Sequence, residues 1–334
     1  MTYTIMDVAK KANVSKATVS RVLNNQGGYS EKTKKKVLEV IQELEYHPSA
    51  IARGLTNKRT HTIGVLVPNL TSSLITEFLN EIEAVAHKVG SSVIVCHTES
   101  RGIKTMKYLQ LLREKRIDGL ILAGTMFKKE YYDYIEKMGI PIVLLSTYPV
   151  HPVPYVTASD YDAAYTAAKY LIQKGHNKIG MISGNKEEWI AGSHLPRVEG
   201  FKDALSDYKI SVNENHIVYG SFSYDDGMTG LKHLIKQVPD LTAIFTENDT
   251  LGIGVLSAAY HLGIKVPEDI SVIGMDNINL CEVVTPPLTS VSLSHSEMAE
   301  KAANMMFEMI ESKKVAKSCI LPHKIVERQS VCSR

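Results

Sequence analysis

A chain of 334 residues is too long for one ordinary hydrophobic core, and 44% hydrophobic against 22% charged residues is the composition of a globular protein of two or three domains. The net charge of +2 is unevenly spread: residues 1–60 hold eleven Lys or Arg against five Asp or Glu, a balance of +6, leaving 27 against 31, or −4, for the remainder. No apolar run approaches the ~20 residues that cross a bilayer and the N-terminus lacks a signal-peptide core, so no membrane partner is expected and a cytoplasmic location is.

A basic end on an acidic body predicts that the first segment alone meets a polyanion. Thr4 with Asp7 three residues later resembles a capping box, and Ile5, Val8, Ala9 and Ala12 give a short amphipathic helix. Asn13-Val14 makes a turn and Ser15 caps a second helix that runs to about Asn24. Helical periodicity turns Val19, Val22 and Leu23 inward and leaves Lys16, Ala17, Ser20 and Arg21 outward. That outward face has no bulky apolar anchor of the kind a protein partner favours, but offers the donors, short hydroxyls and charge that suit a DNA groove. After the break at "NNQGGY", Ser30 caps a third helix with Val37, Leu38, Ile41 and Leu44 at core spacing and its lysines outward. Three short helices, the first two joined by a tight turn, predict a helix-turn-helix domain over residues 1–47.

Residues 48–60 follow as hinge helix and linker, with Pro48 ahead of a cap candidate at Ser49 and about six helix-compatible residues before Gly54-Leu55. So short a helix persists only when something else holds it. From residue 61 the pattern changes to near-continuous apolar strands alternating with longer helices: "TIGVLV", "SSVIVC", "GLILAG", "IPIVLLS", "KIGMISG", "HIVYG", "LTAIFTEN", "ISVIGMDN" and "TSVSLS". These predict an α/β core of parallel strands buried on both faces. A polar break at "YPVHPVPYVTASD" divides it into two lobes, an N-lobe of about 61–158 and 290–320 and a C-lobe of about 159–289 and 321–334. Parallel sheets bind ligands beyond the carboxyl ends of their strands, so two such lobes offer a cleft. The four cysteines, Cys96, Cys281, Cys319 and Cys332, form no CxxC pair, and neither a zinc site, a disulfide framework nor a cofactor is expected.

"TIMDVAKKANVSKATVSRVLNN" and "YHPSAIARGLTNKRTHTIGVLVPN" resemble the start of the lactose-repressor/galactose-repressor family of bacterial transcription regulators. "GHNKIGMISG", "RVEGF", "FTENDTLGIGVLSAAYHLGIKVPEDISVIGMDN" and "PPLTSV" resemble its effector-binding core, which is periplasmic-binding-protein-like; the motifs occur in the family's order along essentially the whole chain. The resemblance implies a homodimeric repressor on a near-palindromic double-stranded operator, controlled by a small-molecule effector, a sugar or sugar derivative, held between the lobes. It places Lys16 and Ala17 at the positions that vary with operator sequence and Arg21 at a base-reading position, in keeping with bidentate donation to guanine by Arg and methyl contact by Ala. Thr4, Ser15, Thr18, Ser20, Asn24, Ser30 and Thr33 match phosphate-contacting positions, and Ala52 and Leu55 match the hinge, with Leu55 as the wedge in the minor groove.

In the core the resemblance assigns the effector to Arg197, Asn248 and Asp276, with Phe222 over it; Arg197 and Asp276 would otherwise form internal salt bridges. Ser146 and Ala123 stand where sugar-binding relatives often place Asp or Asn, which predicts fewer strong hydrogen-bonding groups in the N-lobe half of the pocket. Trp189, the one tryptophan, is placed to cover the ligand or simply to pack.

An enzyme would be expected to show a GxSxG, HExxH or GxxxxGK[ST] pattern, and none is present; the glycines of "GIGVLS" fall in a helix, where they permit close packing. A transporter's solute-binding protein would share the two-lobed fold but has no use for a helix-turn-helix. A core that answers to a protein coregulator is the remaining alternative. Because the sequence stops soon after its last core strand, a dimer is expected rather than a coiled-coil tetramer.

Overall fold

The computed structural model describes residues 3–23, 25–46, 59–99, 102–125, 127–149, 151–184 and 194–334. The chain divides into two compact units, residues 1–60 and 61–334.

In the first unit α1 (Ile5–Ala12), α2 (Lys16–Leu23) and α3 (Glu31–Glu43) follow one another. The Asp7 carboxylate accepts from the Thr4 N–H at 2.8 Å and the Thr4 hydroxyl at 2.7 Å, so the first turn of α1 is tied to its cap. Asn13 ends the helix in the left-handed region at φ 51°, a conformation Asn tolerates, and the Val14 N–H returns to the Ala9 carbonyl at 3.0 Å. Val8, Ala12, Val19 and Val37 are fully buried, and Val22, Val40 and Tyr46 nearly so. Each buried valine contributes on the order of 1.5–3 kcal/mol, enough together to order three short helices. One core expectation is corrected: Leu38 is 45% exposed and Val40 fills the core instead. A step of ~100° per residue carries position 38 off the face that Val37 defines, whereas position 40 returns to it.

In the second unit two six-stranded sheets form the two lobes. The first has the order β11 (Cys319–Leu321), β5 (Tyr155–Ala158), β4 (Ile142–Leu145), β3 (Gly119–Ala123), β1 (Thr62–Val67), β2 (Ser92–His97). The second has the order β12 (Lys324–Val326), β10 (Thr289–Ser292), β9 (Ser271–Asp276), β8 (Ala243–Thr246), β6 (Ile179–Ser183), β7 (Ile217–Tyr219). Every pairing is parallel except β10 with β12. Strands β3, β4, β6 and β8 are buried along their whole length, as helices on both faces require. The first lobe carries α4 (Ser73–Lys88), α5 (Thr105–Glu114), α6 (Lys129–Met138) and α12 (His295–Ser312); the second carries α7 (Asp160–Gln173), α8 (His194–Asp207), α9 (Tyr224–Gln237), α10 (Asp249–Leu262) and the short α11 (Leu280–Val283).

Two boundary details differ from the sequence reading. The polar break at "YPVHPVPYVTASD" contains a strand, β5, which pairs with β4 and β11 inside the first sheet. Strand β10 pairs with β9 in the register Thr289↔Ile273 through Ser292↔Asp276, so the chain leaves the second lobe after Ser292 rather than at about residue 290. The glycines of "GIGVLS" do serve packing: a Cβ at Gly254 would lie 2.2 Å from the Tyr224 carbonyl oxygen and 3.0 Å from the Gly227 Cα, so α9 and α10 approach backbone to backbone.

Candidate functional site

Two sets of side chains stand out, one in each unit. In the first, Lys16, Ala17 and Arg21 project from α2 into solvent on the side opposite the buried Val19 and Val22, while Thr18 and Ser20 are half-buried. Two helix starts repeat one construction. Ser15 Oγ accepts from the Thr18 N–H at 3.1 Å with the two hydroxyls 2.9 Å apart, and Ser30 Oγ accepts from the Thr33 N–H at 3.2 Å with the hydroxyls again 2.9 Å apart. Both cap a helix N-terminus, where unpaired N–H groups and the helix dipole favour an anion such as phosphate. Thr4 caps α1 in the same unit. Asn24, Ala52 and Leu55 lie outside the described residues, as does the whole segment 47–58.

In the second unit the polar side chains gather at the carboxyl ends of β5, β6, β8 and β9. Arg197, in the first turn of α8, donates from Nε to Asp160 Oδ1 at 2.6 Å and from Nη1 to the Glu247 carbonyl at 2.7 Å. Both side chains of this pair are about a tenth exposed. Burial alone would lower the Arg197 guanidinium, but Asp160, Asp276 and Glu247 around it hold it above its ordinary value, so it stays charged. Burial pushes Asp160 up against the opposing charge and hydrogen bond of Arg197. Asp276 ends β9, and its Oδ1 lies 3.3 Å from Nε2 of His295 in the first turn of α12, a contact between the lobes. Asn248 caps α10: its Oδ1 accepts from the Leu251 N–H at 2.8 Å and its Nδ2 donates to the Phe222 carbonyl at 3.4 Å. The Phe222 ring lies against Gly184, where any Cβ would fall 2.1 Å from it. Ser146 follows β4 directly in the other lobe, its N–H donating to the Val156 carbonyl at 2.9 Å.

Thus Arg197, Phe222, Asn248 and Asp276 are brought to one edge of the second sheet; the internal ion pair that competed with the effector role is present for Arg197, with Asp160, while Asp276 meets the His295 ring. Trp189 lies outside the described residues. Three of these positions, Ser146 (φ 50°), Phe222 (φ 66°) and Asp276 (φ 107°), hold non-glycine residues at positive φ. Such backbone costs on the order of 1–3 kcal/mol and clusters where a site dictates side-chain direction.

The sequence reading missed Asp160, Glu247, Asp249 and His295. Glu247 is fully buried; its Oε2 accepts from the Ser183 hydroxyl and from the Gly184 N–H at 2.8 Å. Burial raises its carboxyl to about 7 against the opposing pull of Arg197 and these donors. Asp249, also fully buried, accepts from Ser290 Oγ at 2.6 Å and the Ile278 N–H at 2.9 Å, and burial together with the charge of Asp276 raises it to about 7 as well. The available signal was "FTEN": a carboxylate at the end of an otherwise apolar strand is buried unless the strand stops short of it. In the first lobe the buried Thr98 and Thr147 hydroxyls donate to carbonyls of Val67 and Leu145 at 3.0 and 3.2 Å, and among its described residues no carboxylate or guanidinium is fully buried.

A helix-turn-helix unit with an open polar helix face, followed by two parallel-sheet lobes, the second of which gathers titratable side chains at its strand ends, defines a DNA-binding regulator with a small-molecule-binding core. Residues 4–49 match the model of bacterial regulatory proteins of the lacI family, and residues 60–329 match that of periplasmic binding proteins and the sugar binding domain of the LacI family. The chain belongs to the LacI family of bacterial regulatory proteins. It is 35% identical to catabolite control protein A of Priestia megaterium over 99% of both chains. The Lac repressor dimer bound to operator and an anti-inducer superposes with a TM-score of 0.89 at 25% identity over 100% of each chain. The transcriptional regulator CelR in complex with cellobiose superposes with a TM-score of 0.74 at 25% identity, covering 98% of this chain and 99% of that one. These relatives are regulators rather than enzymes. No helix among the described residues is long and apolar enough to cross a membrane.

Proposed function

We propose that this chain acts in the cytoplasm as a homodimeric repressor that reads a near-palindromic operator with α2 and is switched by a sugar or sugar derivative bound between its lobes. The observation that carries the DNA-binding half is the face of α2: Lys16, Ala17 and Arg21 are exposed on a helix whose opposite side, Val19 and Val22, is buried. Arg21 has the bidentate fork for guanine, Ala17 offers only a methyl contact, and Lys16 is long enough to choose between neighbouring acceptors. Thr4, Ser15, Thr18, Ser20, Ser30 and Thr33 set the register on phosphates; Asn24, Ala52 and Leu55 take the roles their sequence positions suggest, in a scheme of residues 1–47 as DNA-binding domain, 48–60 as hinge and 61–334 as core. Arg197, Asn248, Asp276, Phe222, Ser146 and Trp189 form the effector site, whose work is binding rather than catalysis. Support for a sugar comes from the bound cellobiose in one structural neighbour and the family's sugar-binding core.

The test is selection of operator sequences from a random library by the full chain, repeated with Arg21→Ala. The variant is expected to lose ~1–3 kcal/mol per half-site and to relax one base position in each half. An unchanged sequence preference in Arg21→Ala would remove the base-reading role.

A further inference from the structure

The chain crosses between the lobes three times, after Ala158, after Ser292 and after Leu321, and a side chain ties down each crossing. At the first, the Tyr148 hydroxyl donates to the Ala158 carbonyl at 3.0 Å and accepts from the Asp160 N–H at 3.3 Å. At the third, His323 Nε2 lies 2.9 Å from the Thr166 hydroxyl of α7. The second is built differently. Ser292 is the register neighbour of Asp276 across β10 and β9, and three residues on, at the start of α12, His295 returns to the same carboxylate, its Nε2 3.3 Å from Oδ1. The contact therefore spans the crossing: Asp276 belongs to the sheet of the second lobe, while α12 packs on strands β3, β4 and β5 of the first.

Backbone conformation sets this crossing apart. Asp276 has φ 107°, Asn277 φ 58° and Ser294, the residue that turns the chain into α12, φ 57°. Positive φ is costly for residues other than glycine and persists where the surrounding structure imposes it, notably at switch regions. Among the described residues, neither 158–160 nor 321–324 holds such a residue. Both partners of the second contact are thus aimed by strained backbone, and Ser294 is not one of the residues assigned to the effector. Packing fixes the His295 ring as well: it is 4% exposed and meets Phe78 of α4 edge-on at 5.5 Å. Yet the bond that results is modest. A carboxylate accepts, so the neutral ring donates from Nε2 over a long 3.3 Å, and Nδ1 is left buried without a hydrogen-bond partner among the described residues. Strain on both sides of a long hydrogen bond, with half of the ring unsatisfied, describes a contact that a small displacement of one lobe breaks.

We infer that the Asp276–His295 contact is a latch between the lobes: it holds them in the arrangement described above, and its release lets the first lobe turn about Leu293 and Ser294. The first strand of that lobe, β1, follows the linker of residues 48–60, so a movement of the lobe is passed to the linker and the latch sets operator affinity before any effector binds. The inference rests on the regulator role proposed above. His295 is in this sense a positioning residue that acts through Asp276.

The test uses the full chain and the operator it selects, with no small molecule added. Affinity is measured by fluorescence anisotropy for wild type, His295→Phe, Asp276→Ala and the double variant, and hydrogen exchange is followed by mass spectrometry on peptides that span residues 289–298. His295→Phe keeps a ring against Phe78 and removes both nitrogens. It is expected to shift operator affinity at least threefold, the sign showing whether the latched arrangement favours or opposes DNA, and to speed exchange at Leu293 and Ser294. In the Asp276→Ala background the same substitution is expected to change affinity less than twofold, because the partner is already gone. Circular dichroism melting checks that each variant folds, and if His295→Phe does not, Asp276→Ala alone carries the threefold expectation. A smaller shift in the folded variant overturns the inference, as does unchanged exchange at the crossing. A twofold or larger effect of His295→Phe in the Asp276→Ala background also overturns it, since that would mark a packing change rather than the loss of a latch. Failure of the wild-type chain to select any DNA sequence would instead strike the regulator reading itself.

Discussion

A buried carboxylate leaves a mark on stability that can be read without any ligand. Glu247 has its carboxyl raised from 4.5 to about 7 in the folded chain, chiefly because burial disfavours the charge. The folded state therefore holds this proton more tightly than the unfolded chain does. The stabilisation is fully present below pH 4.5 and is lost as pH rises through about 7; over that span it corresponds to on the order of 3 kcal/mol. Asp249 shifts in the same direction, to about 7, and adds to the loss. The melting temperature of the unliganded chain is thus expected to fall between pH 5 and pH 8, and Glu247→Gln, which carries no charge at either pH, should show a clearly smaller fall. Differential scanning calorimetry at the two pH values measures both. An equal fall in the two proteins would mean that Glu247 is already ionised and satisfied in the folded state.

At the scale of elements, the close pairing of α9 and α10 depends on Gly227 and Gly254, which put backbone against backbone. Ala is the better helix former by ~1 kcal/mol, so an isolated α10 would gain from Gly254→Ala. In the fold the added Cβ meets the Tyr224 carbonyl oxygen at 2.2 Å, a contact that backbone must yield to, and the helices have to separate. Overpacking of this kind costs typically 1–3 kcal/mol, so the variant should melt several degrees lower despite its higher helix propensity. A rise in melting temperature would show that propensity outweighs the contact.

The same elements show what a sequence makes legible. Strands β1, β3, β6 and β8 were readable because burial on both faces writes an unbroken apolar run, and α1 to α3 because caps and periodicity agree. Strand β5 was hidden by the prolines of "HPVPY", which signal a turn although the next four residues enter the sheet. Leu38 was misplaced because a leucine beside a core valine satisfies a loose helical pattern, whereas the strict 100° step favours position 40, as its burial shows. In the site, Arg197 and Asp276 were found by resemblance, but their partners Asp160 and His295 stand 37 and 19 residues away along the chain. Polar contacts between lobes or between helices leave no local periodic trace, so such partners emerge only from the fold. Glu247 was hidden for another reason: it is held by Ser183 and Gly184 at the end of a neighbouring strand, 64 and 63 residues away, which no local pattern records.

For the whole molecule, charge is divided between the two units, +6 over residues 1–60 and −4 over the rest. The basic part attracts the phosphate backbone while the larger part repels it, which confines contact to the helix-turn-helix surface and makes affinity sensitive to salt. The cations available on the described N-terminal helices include Lys16, Arg21, Lys32, Lys35 and Lys36, all exposed, whereas Lys11 is paired with Glu43 at 2.7 Å. If two protomers together neutralise roughly six to ten phosphates, log K should fall against log salt with a slope of about −0.9 per phosphate, and affinity should drop roughly 10³–10⁵-fold between 50 and 200 mM salt. Non-specific DNA uses the same cations and should give a comparable slope. The margin between operator and random sequence, which rests on Arg21, Ala17 and Lys16 reading base edges, should therefore change far less with salt than either affinity does. Fluorescence anisotropy on both DNAs across that range measures slope and margin together. A slope shallower than about −3 would mean that the basic segment does not dock on the backbone as a dimer, and a margin that collapses with salt would mean that discrimination comes from charge rather than from the face of α2.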